Sequence, residues 1–454
     1  MLLLLLSPIA RLVLWIFFRR LEIRGRDQVP GNRPVLYVAN HPNVMLDTLI
    51  LGLSTPGRIP RFLGKSTLFK NGLYAFFMRR LGVIPVSRTQ DSGARIGRNQ
   101  DMLRESCRVL QQGGSVALFP EGGSQAGRRV RPLKPGGARI ALRAEEDCQG
   151  VRICIVPVGL AYTDPGLFRS DVSVHFGAPI EVADFLEAYR ANRSGGARAL
   201  TQVLQERLTA LTWHLDNPEL ETIFADLTAI YTEQLAADLP ETAELSSRLR
   251  VGQEIIQAVQ HFADTDPALV QSFAQRLQAH HRKLRRLRLE PYALEPGVPA
   301  PGPGHLLLGL LLAPPALYGF LNNALPYFVP RLFVRPFAQT PEMVGTIKLA
   351  VGMAAFPLYY AIRTAIAWIL WGWAVALPYA CTLPLSGLFT LYYNEQILQR
   401  WPLWQSLIAP RRRRRYLSRL TSERANLIRD LDDLKVQYLE RRAQASLQIP
   451  PSTA

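Results

Sequence analysis

Hydrophobic and polar positions change rhythm several times along the chain, and each change predicts a different kind of element. Residues 1–20 begin "MLLLLLSPIARLVLWIFF", apolar except for Arg11, and close on Arg19 and Arg20. The positive charge follows the apolar run, whereas a secretory signal carries it in front. The segment therefore predicts an uncleaved helix lying in or dipping into a bilayer, with both arginines at the headgroups. Over residues 21–182 the rhythm becomes α/β. Short apolar runs, "PVLYVAN", "SVALFP" and "ICIVPVGLAY", predict strands, and stretches such as "QDMLRESCRVLQQGG" predict helices between them. This is the region long and varied enough for an enzymatic core.

Residues 183–289 read as a helical extension, with leucines at three-to-four spacing as in "ALTQVLQERLTALTWHL". A breaker-rich linker follows at 290–304, "EPYALEPGVPAPGPG". Residues 305–397 predict a transmembrane region of two or three apolar segments. No formal charge falls between Glu295 and Arg331, and from Leu349 to Tyr393 only Arg363 interrupts. About 20 apolar residues cross a bilayer. Pro314, Pro315, Pro378 and Pro384 leave kinked or re-entrant segments open. The tail, 398–454, opens its helix with Arg411–Arg415 and carries Leu417, Leu420, Leu427, Leu431 and Leu434 on one stripe.

Composition narrows the partners. Lysine and arginine outnumber aspartate and glutamate 53 to 36, a net charge of +17. Such an excess calls for a polyanion. No nucleic-acid recognition fold accompanies the arginine run, so anionic lipid headgroups are the expected partner and nucleic acid is not. Basic charge beside the apolar segments predicts an integral membrane protein with its catalytic domain on the cytoplasmic face. Cys107, Cys148, Cys154 and Cys381 are scattered without CxxC spacing, so neither a zinc site nor a disulfide framework is indicated.

Candidate chemistry lies in "VLYVANHPNVMLDTLILG", residues 35–52. If "VLYVAN" is a strand and "VMLDTLILG" starts a helix, His41 falls at the strand's carboxyl end. Asp47 would then lie between one and two turns into the helix, able to fold back to the ring. A carboxylate there fixes the imidazole tautomer and leaves the other nitrogen as a general base. No serine or cysteine nucleophile stands beside it, so the nucleophile would be the substrate's own hydroxyl. The competing reading is a histidine that caps the strand, with Asp47 favoured by its helix N-terminus. Further along, Arg88 ends "GVIPVSR", where a guanidinium suits a phosphate. In "FPEGGSQAG", Gly122 and Gly123 let backbone N–H groups approach a ligand, while Glu121 would bind a hydroxyl or position Arg88. The apolar strand broken by Pro157 and Gly159 would line an acyl chain, although a plain buried strand looks the same.

Together and in this order, "NHPNVMLD", "GVIPVSR", "FPEGGS" and "IVPVGL" resemble the four motifs of the glycerol-phosphate and lysophospholipid acyltransferase superfamily, over roughly residues 20–182. Five residues separate His41 from Asp47 where most of the superfamily has four. Five is the spacing of a branch of fungal-type glycerol-3-phosphate/dihydroxyacetone-phosphate acyltransferases and their bacterial relatives. That branch commonly follows "FPEGGS" with His-Asp; Gln125-Ala126 stand here, which leaves the acceptor open.

The resemblance implies a central mixed sheet flanked by helices. It implies transfer of an acyl group from acyl-CoA or acyl carrier protein to glycerol-3-phosphate or its 1-acyl form, with no metal or redox cofactor. His41, oriented by Asp47, would take the acceptor's proton. Arg88, with Lys65 or Lys134, would hold its phosphate. Glu121 and Gly122 would place its glycerol part, and backbone donors around Gly123 or in the helix after His41 would meet the oxyanion. Pro157 would belong to the acyl-chain site. Other readings compete: an acyltransferase for another lysophospholipid, or a non-catalytic lipid-surface binding protein on the same fold. The second draws on Gln125-Ala126 against an intact His41, Asp47, Arg88 and Glu121. A serine esterase through Ser124 lacks the elbow's closing glycine, because Ala126 occupies that position.

Overall fold

The computed structural model describes residues 2–70, 72–86, 96–147, 152–238, 246–287, 303–398 and 411–447. They fall into two compact units. The first comprises Met1–Pro218, Pro240–Gln253 and Phe333–Leu349; the second Glu219–Leu239, Glu254–Leu332 and Ala350–Ala454.

The first unit is built on a mixed sheet. Its strands are β1 (Arg20–Arg24), β2 (Val35–Ala39), β3 (Arg61–Lys65), β4 (Ile84–Val86), β5 (Ser115–Leu118), β6 (Cys154–Tyr162), β7 (Asp171–Phe176) and β8 (Ile180–Glu181). They run in the order β1-β7-β6-β2-β5-β3-β4, with β8 also paired to β6. β6, β2, β5, β3 and β4 are parallel in sequence across the sheet, and β7 and β8 run antiparallel to β6. The runs read as strands from the sequence became β2, β5 and β6. Charges at their ends hid β1, β3 and β7, and β4 has only three residues.

Successive side chains of a strand point to opposite faces, and here both faces are covered. Leu36, Val38, Val116, Leu118 and Ile155 meet α4 (Ile96–Gln111), α5 (Gly136–Asp147) and α7 (Arg193–Ala210) on one side. Tyr37, Ala39, Val156, Val158 and Tyr162 meet α1 (Leu2–Phe17) and α2 (Val44–Ser54) on the other. That double cover is why β6 carries an unbroken apolar run, buried at every position.

The amino-terminal helix is amphipathic in a specific way. Leu14 and Phe17, with Phe18 just beyond the helix, enter the core against the sheet, while Ile9, Leu12 and Trp15 are exposed. Arg19 does not simply face outward. Its guanidinium takes Asp171 on β7 with two hydrogen bonds, 2.9 and 2.8 Å, and Arg248 adds a third to the same carboxylate at 2.5 Å. Burial opposes the Asp171 charge, but the Arg19 bond and the two guanidinium charges outweigh it and hold the carboxyl below its ordinary range.

In the second unit, α8 (Glu221–Asp238), α10 (Pro267–Leu287) and α14 (Arg411–Leu447) pack together. The leucine stripe of the tail explains this contact: Leu420 and Leu427 are buried, and Lys283 of α10 grips Glu423 at 2.8 Å. Among the described residues of the two units, three helices are long and apolar enough to cross a membrane: α11 (Pro303–Phe337), α12 (Met343–Trp371) and α13 (Trp373–Gln396). Arg363, the lone charge of the later apolar region, donates to Asn322 Oδ1 at 2.8 Å and to the Tyr379 hydroxyl at 2.9 Å. Polar groups in apolar helices thus pair with one another, as they must where water is absent.

Candidate active site

The parallel strands β2, β5, β3 and β4 all end at one edge of the sheet, where open α/β sheets place their ligands. His41 follows β2, Phe119–Gly123 follow β5, and Lys65 closes β3. β4 ends at Val86, two residues before Arg88; Arg88 itself lies outside the described residues.

Each polar residue of "NHPN" has a structural job. Asn40 continues the pairing of β2 after its backbone turns away: its amide donates to Leu160 O at 2.9 Å and accepts from Leu160 N–H at 2.7 Å. Pro42 and Asn43 delay the helix to Val44, so Asp47 closes the first turn of α2, earlier than the sequence suggested. Asp47 is fully buried and its Oδ2 faces His41 Nδ1 at 2.8 Å. The same oxygen accepts from the Asn43 backbone N–H at 2.6 Å. Its other oxygen accepts from the Tyr162 hydroxyl at 2.5 Å. Burial, then the Asp47 charge, push the Tyr162 phenol well above its ordinary value, so it remains a donor.

The imidazole is held on a second side. Its ring stacks on Phe119 with centroids 3.9 Å apart and planes 8° from parallel. The loop after β5 clasps the His41 backbone. Glu121 Oε1 accepts from His41 N–H at 3.1 Å, and Gln125 N–H donates to His41 O at 3.0 Å. With Nδ1 tied to Asp47, Nε2 is the ring nitrogen left to work on a substrate proton.

Glu121 is itself supported. Arg131 Nε lies 3.4 Å from its Oε2, and the same guanidinium donates to Gly123 O. Burial raises the Glu121 carboxyl above its usual range, against the opposing pull of the His41 N–H and Arg131. Gly122 takes φ +79°, and a Cβ placed on it would fall 2.4 Å from Lys134 Nζ. The Lys134 ammonium therefore lies directly over the glycine loop, fixed from behind by Lys134 N–H bonding to Pro120 O at 2.9 Å.

The structure thus brings His41, Asp47, Glu121, Gly122, Gly123 and Lys134 together, and sets Lys65 at the same sheet edge. Pro157 lies on the neighbouring strand β6, beside Val38 near the carboxyl end of β2. There β6 changes partner from β8 to β7, a position that needs no N–H on that side. Strand alternation points it to the face opposite Tyr162, where it and Gly177 pack with Leu211. Sequence reasoning missed Tyr162, Phe119, Asn43 and Arg131. Phe119 and Asn43 sit inside quoted motifs and were legible as neighbours; nothing local marks Tyr162 or Arg131. Among the described residues no group of three or more His, Cys, Asp or Glu converges as a metal site.

A histidine–aspartate pair at the carboxyl end of a parallel strand, faced by a glycine loop and a cation, is an arrangement with the chemistry to take a proton beside an anionic group. Residues 6–161 match the family model described as Acyltransferase. It is 23% identical over 365 residues to an uncharacterized acyltransferase of Schizosaccharomyces pombe, covering 62% of this chain and 53% of the relative. It is 28% identical over 191 residues to glycerol-3-phosphate O-acyltransferase 1 of Saccharomyces cerevisiae, covering 41% of this chain and 24% of that one. A 1-acyl-sn-glycerol-3-phosphate acyltransferase of Streptococcus pneumoniae is 28% identical over 179 residues, covering 38% and 60%. The chain therefore spans about half the length of the first relative and a quarter of the second. Among solved structures, the 1-acyl-sn-glycerophosphate acyltransferase PlsC of Thermotoga maritima aligns with a TM-score of 0.34 at 20% identity, over 46% of this chain and 79% of that one.

Proposed function

We propose that this protein is a membrane-bound O-acyltransferase that moves a fatty acyl group from a thioester, acyl-CoA or acyl carrier protein, to a hydroxyl of glycerol-3-phosphate or 1-acyl-glycerol-3-phosphate. The observation that carries the reading is the buried Asp47 carboxylate facing His41 Nδ1 at 2.8 Å beside the Glu121–Lys134 loop. The names of the yeast and streptococcal relatives supply the acceptor class.

In this mechanism His41 Nε2 takes the acceptor's hydroxyl proton as its oxygen attacks the thioester carbonyl carbon. Asp47 stabilises the imidazolium that forms and keeps the ring in place. Backbone N–H groups of the glycine loop or of the start of α2 meet the tetrahedral oxyanion. Collapse breaks the carbon–sulfur bond, and the thiolate leaves with the proton from His41. Lys134, with Arg88 and Lys65, binds the acceptor phosphate, and Glu121 places its glycerol hydroxyls. No metal or redox cofactor enters. The apolar helices and the exposed face of α1 seat the domain on the cytoplasmic side of an anionic bilayer, where phosphorylated acceptors concentrate.

The test is a membrane assay offering glycerol-3-phosphate and lysophosphatidate separately with one labelled acyl-CoA. Labelled product that disappears in His41→Ala is the expected result. Absence of transfer to either acceptor, with the chain folded, overturns the proposal and favours the lipid-binding reading.

A further inference from the structure

We propose that Thr346, in the first turn of α12, is a positioning residue for the His41–Asp47 pair, acting from some 300 residues downstream of it. The inference rests on the reading of His41 as the reacting base.

Thr346 acts at the start of α2. A helix opens with unsatisfied backbone N–H groups, ordinarily met by the side chain of its N-cap residue. Asn43 is the N-cap here, yet its side chain makes no capping bond. Its amide is turned away, donating to Pro165 O at 2.5 Å. The cap comes instead from the Thr346 hydroxyl, which accepts from Met45 N–H at 3.2 Å and donates to Asn43 Oδ1 at 3.3 Å. One hydroxyl thus fixes both the helix start and the side chain of the residue whose own N–H holds Asp47 Oδ2 at 2.6 Å. That oxygen is the one facing His41 Nδ1.

The neighbours of Thr346 are built for this approach. Gly345 lies so close that a Cβ on it would fall 2.4 Å from Pro165 O, 2.7 Å from Asn43 Nδ2 and 2.9 Å from Leu46 Cδ1. Lys348 Nζ donates to Gly166 O at 2.6 Å, tying the same segment to the loop that receives the Asn43 amide. Leu349 packs into the core beneath α2. Thr346 is itself buried, so its hydroxyl has these partners rather than water. A hydroxyl side chain preceded by a glycine is what the contact requires.

Thr346→Val keeps the shape and removes the hydroxyl; Thr346→Ser restores the hydroxyl without the methyl. Using the full-length chain in detergent micelles, two readouts separate positioning from mere stability. The first is the split between kcat and KM: Thr346→Val is expected to lower kcat about tenfold with both substrate KM values within twofold of the parent, and Thr346→Ser to keep at least half the parent kcat. The second needs no turnover. Diethyl pyrocarbonate modifies neutral imidazoles, and peptide mass spectrometry reads the rate at His41 against the other histidines of the same sample. That rate is expected to change at least threefold in Thr346→Val and to return in Thr346→Ser.

A His41 modification rate within twofold of the parent in Thr346→Val overturns the positioning role, as does an unchanged kcat or a loss that serine does not rescue. A parent that transfers no acyl group, while its His41 rate still depends on Thr346, sinks the acyltransferase reading and leaves the positioning in place.

Discussion

Tyr162 gives its phenolic hydrogen to Asp47 Oδ1 at 2.5 Å from the last position of a strand buried along its whole length. The pair joins β6 to α2 and occupies the carboxylate oxygen that His41 does not use. Tyr162→Phe removes the donor and leaves that oxygen buried without it. The expected cost is about 1–3 kcal/mol of stability, the range for an unsatisfied buried acceptor. Asp47 would also lose one of the bonds that fix its plane, so kcat should fall about tenfold with KM little changed. Denaturant unfolding and steady-state kinetics on the same preparation check both parts; a kcat equal to that of the parent would show that the hydroxyl does not orient the pair.

Removing the base itself should be more severe. General-base catalysis contributes about 10²–10⁴ in rate, so His41→Ala is expected to lose at least 100-fold in kcat. The ring also stacks on Phe119, but Asp47 keeps its bonds to Asn43 N–H and Tyr162, so the fold should survive. Near-ultraviolet circular dichroism tests the fold and labelled product tests the chemistry. Turnover within a few fold of the parent would remove His41 from the mechanism.

How much of this was legible in advance depends on the distance over which the chain carries its signal. The apolar runs that became β2, β5 and β6 are visible because strands covered on both faces need apolar side chains at every position. His41 and Asp47 announce themselves because a polar break inside such a run demands a reason. β1 and β7 stayed hidden: "RLEIR" and "DVSVHF" alternate with charges that make sense only once Arg19 and Arg248 are seen on Asp171. Tyr162 reads as one more apolar residue ending a strand. Its partner lies 115 positions away, and no local period encodes such a pairing. The same holds for Arg131, which reaches Glu121 only because the loop folds back over Gly122.

Gly122 supplies a prediction about the acceptor. Its φ of +79° suits glycine, and an added methyl would drive Lys134 Nζ from its place. Gly122→Ala is therefore expected to raise the KM for the phosphorylated acceptor about tenfold, leave the donor KM unchanged, and cost about 1–2 kcal/mol from left-handed backbone strain. Lys134→Met should raise the acceptor KM similarly without that strain. If both variants instead raise the donor KM, the cation over the glycine loop serves the thioester and not the acceptor.

Away from the site, His175 makes stability depend on pH. His175 on β7 is fully buried beside Arg24, and its Nε2 accepts from Ser246 N–H at 3.4 Å. Burial, then the Arg24 charge, lower its imidazole from 6.5 to about 4. In the folded chain it is therefore neutral through the range in which the unfolded chain takes up a proton. Stability rises with pH wherever the unfolded state binds more protons, so the His175 contribution is complete above pH 6.5 and is lost as pH falls towards 4. The size of the shift corresponds to about 3 kcal/mol at the bottom of that window. Urea unfolding of the full chain in micelles between pH 4.5 and 7 should show stability falling with acidity in the parent. His175→Gln keeps an acceptor for Ser246 but cannot be protonated, and it should flatten the dependence over that interval. Equal slopes in the two proteins would mean that the imidazole is already charged when folded, or that other groups set the acid limit.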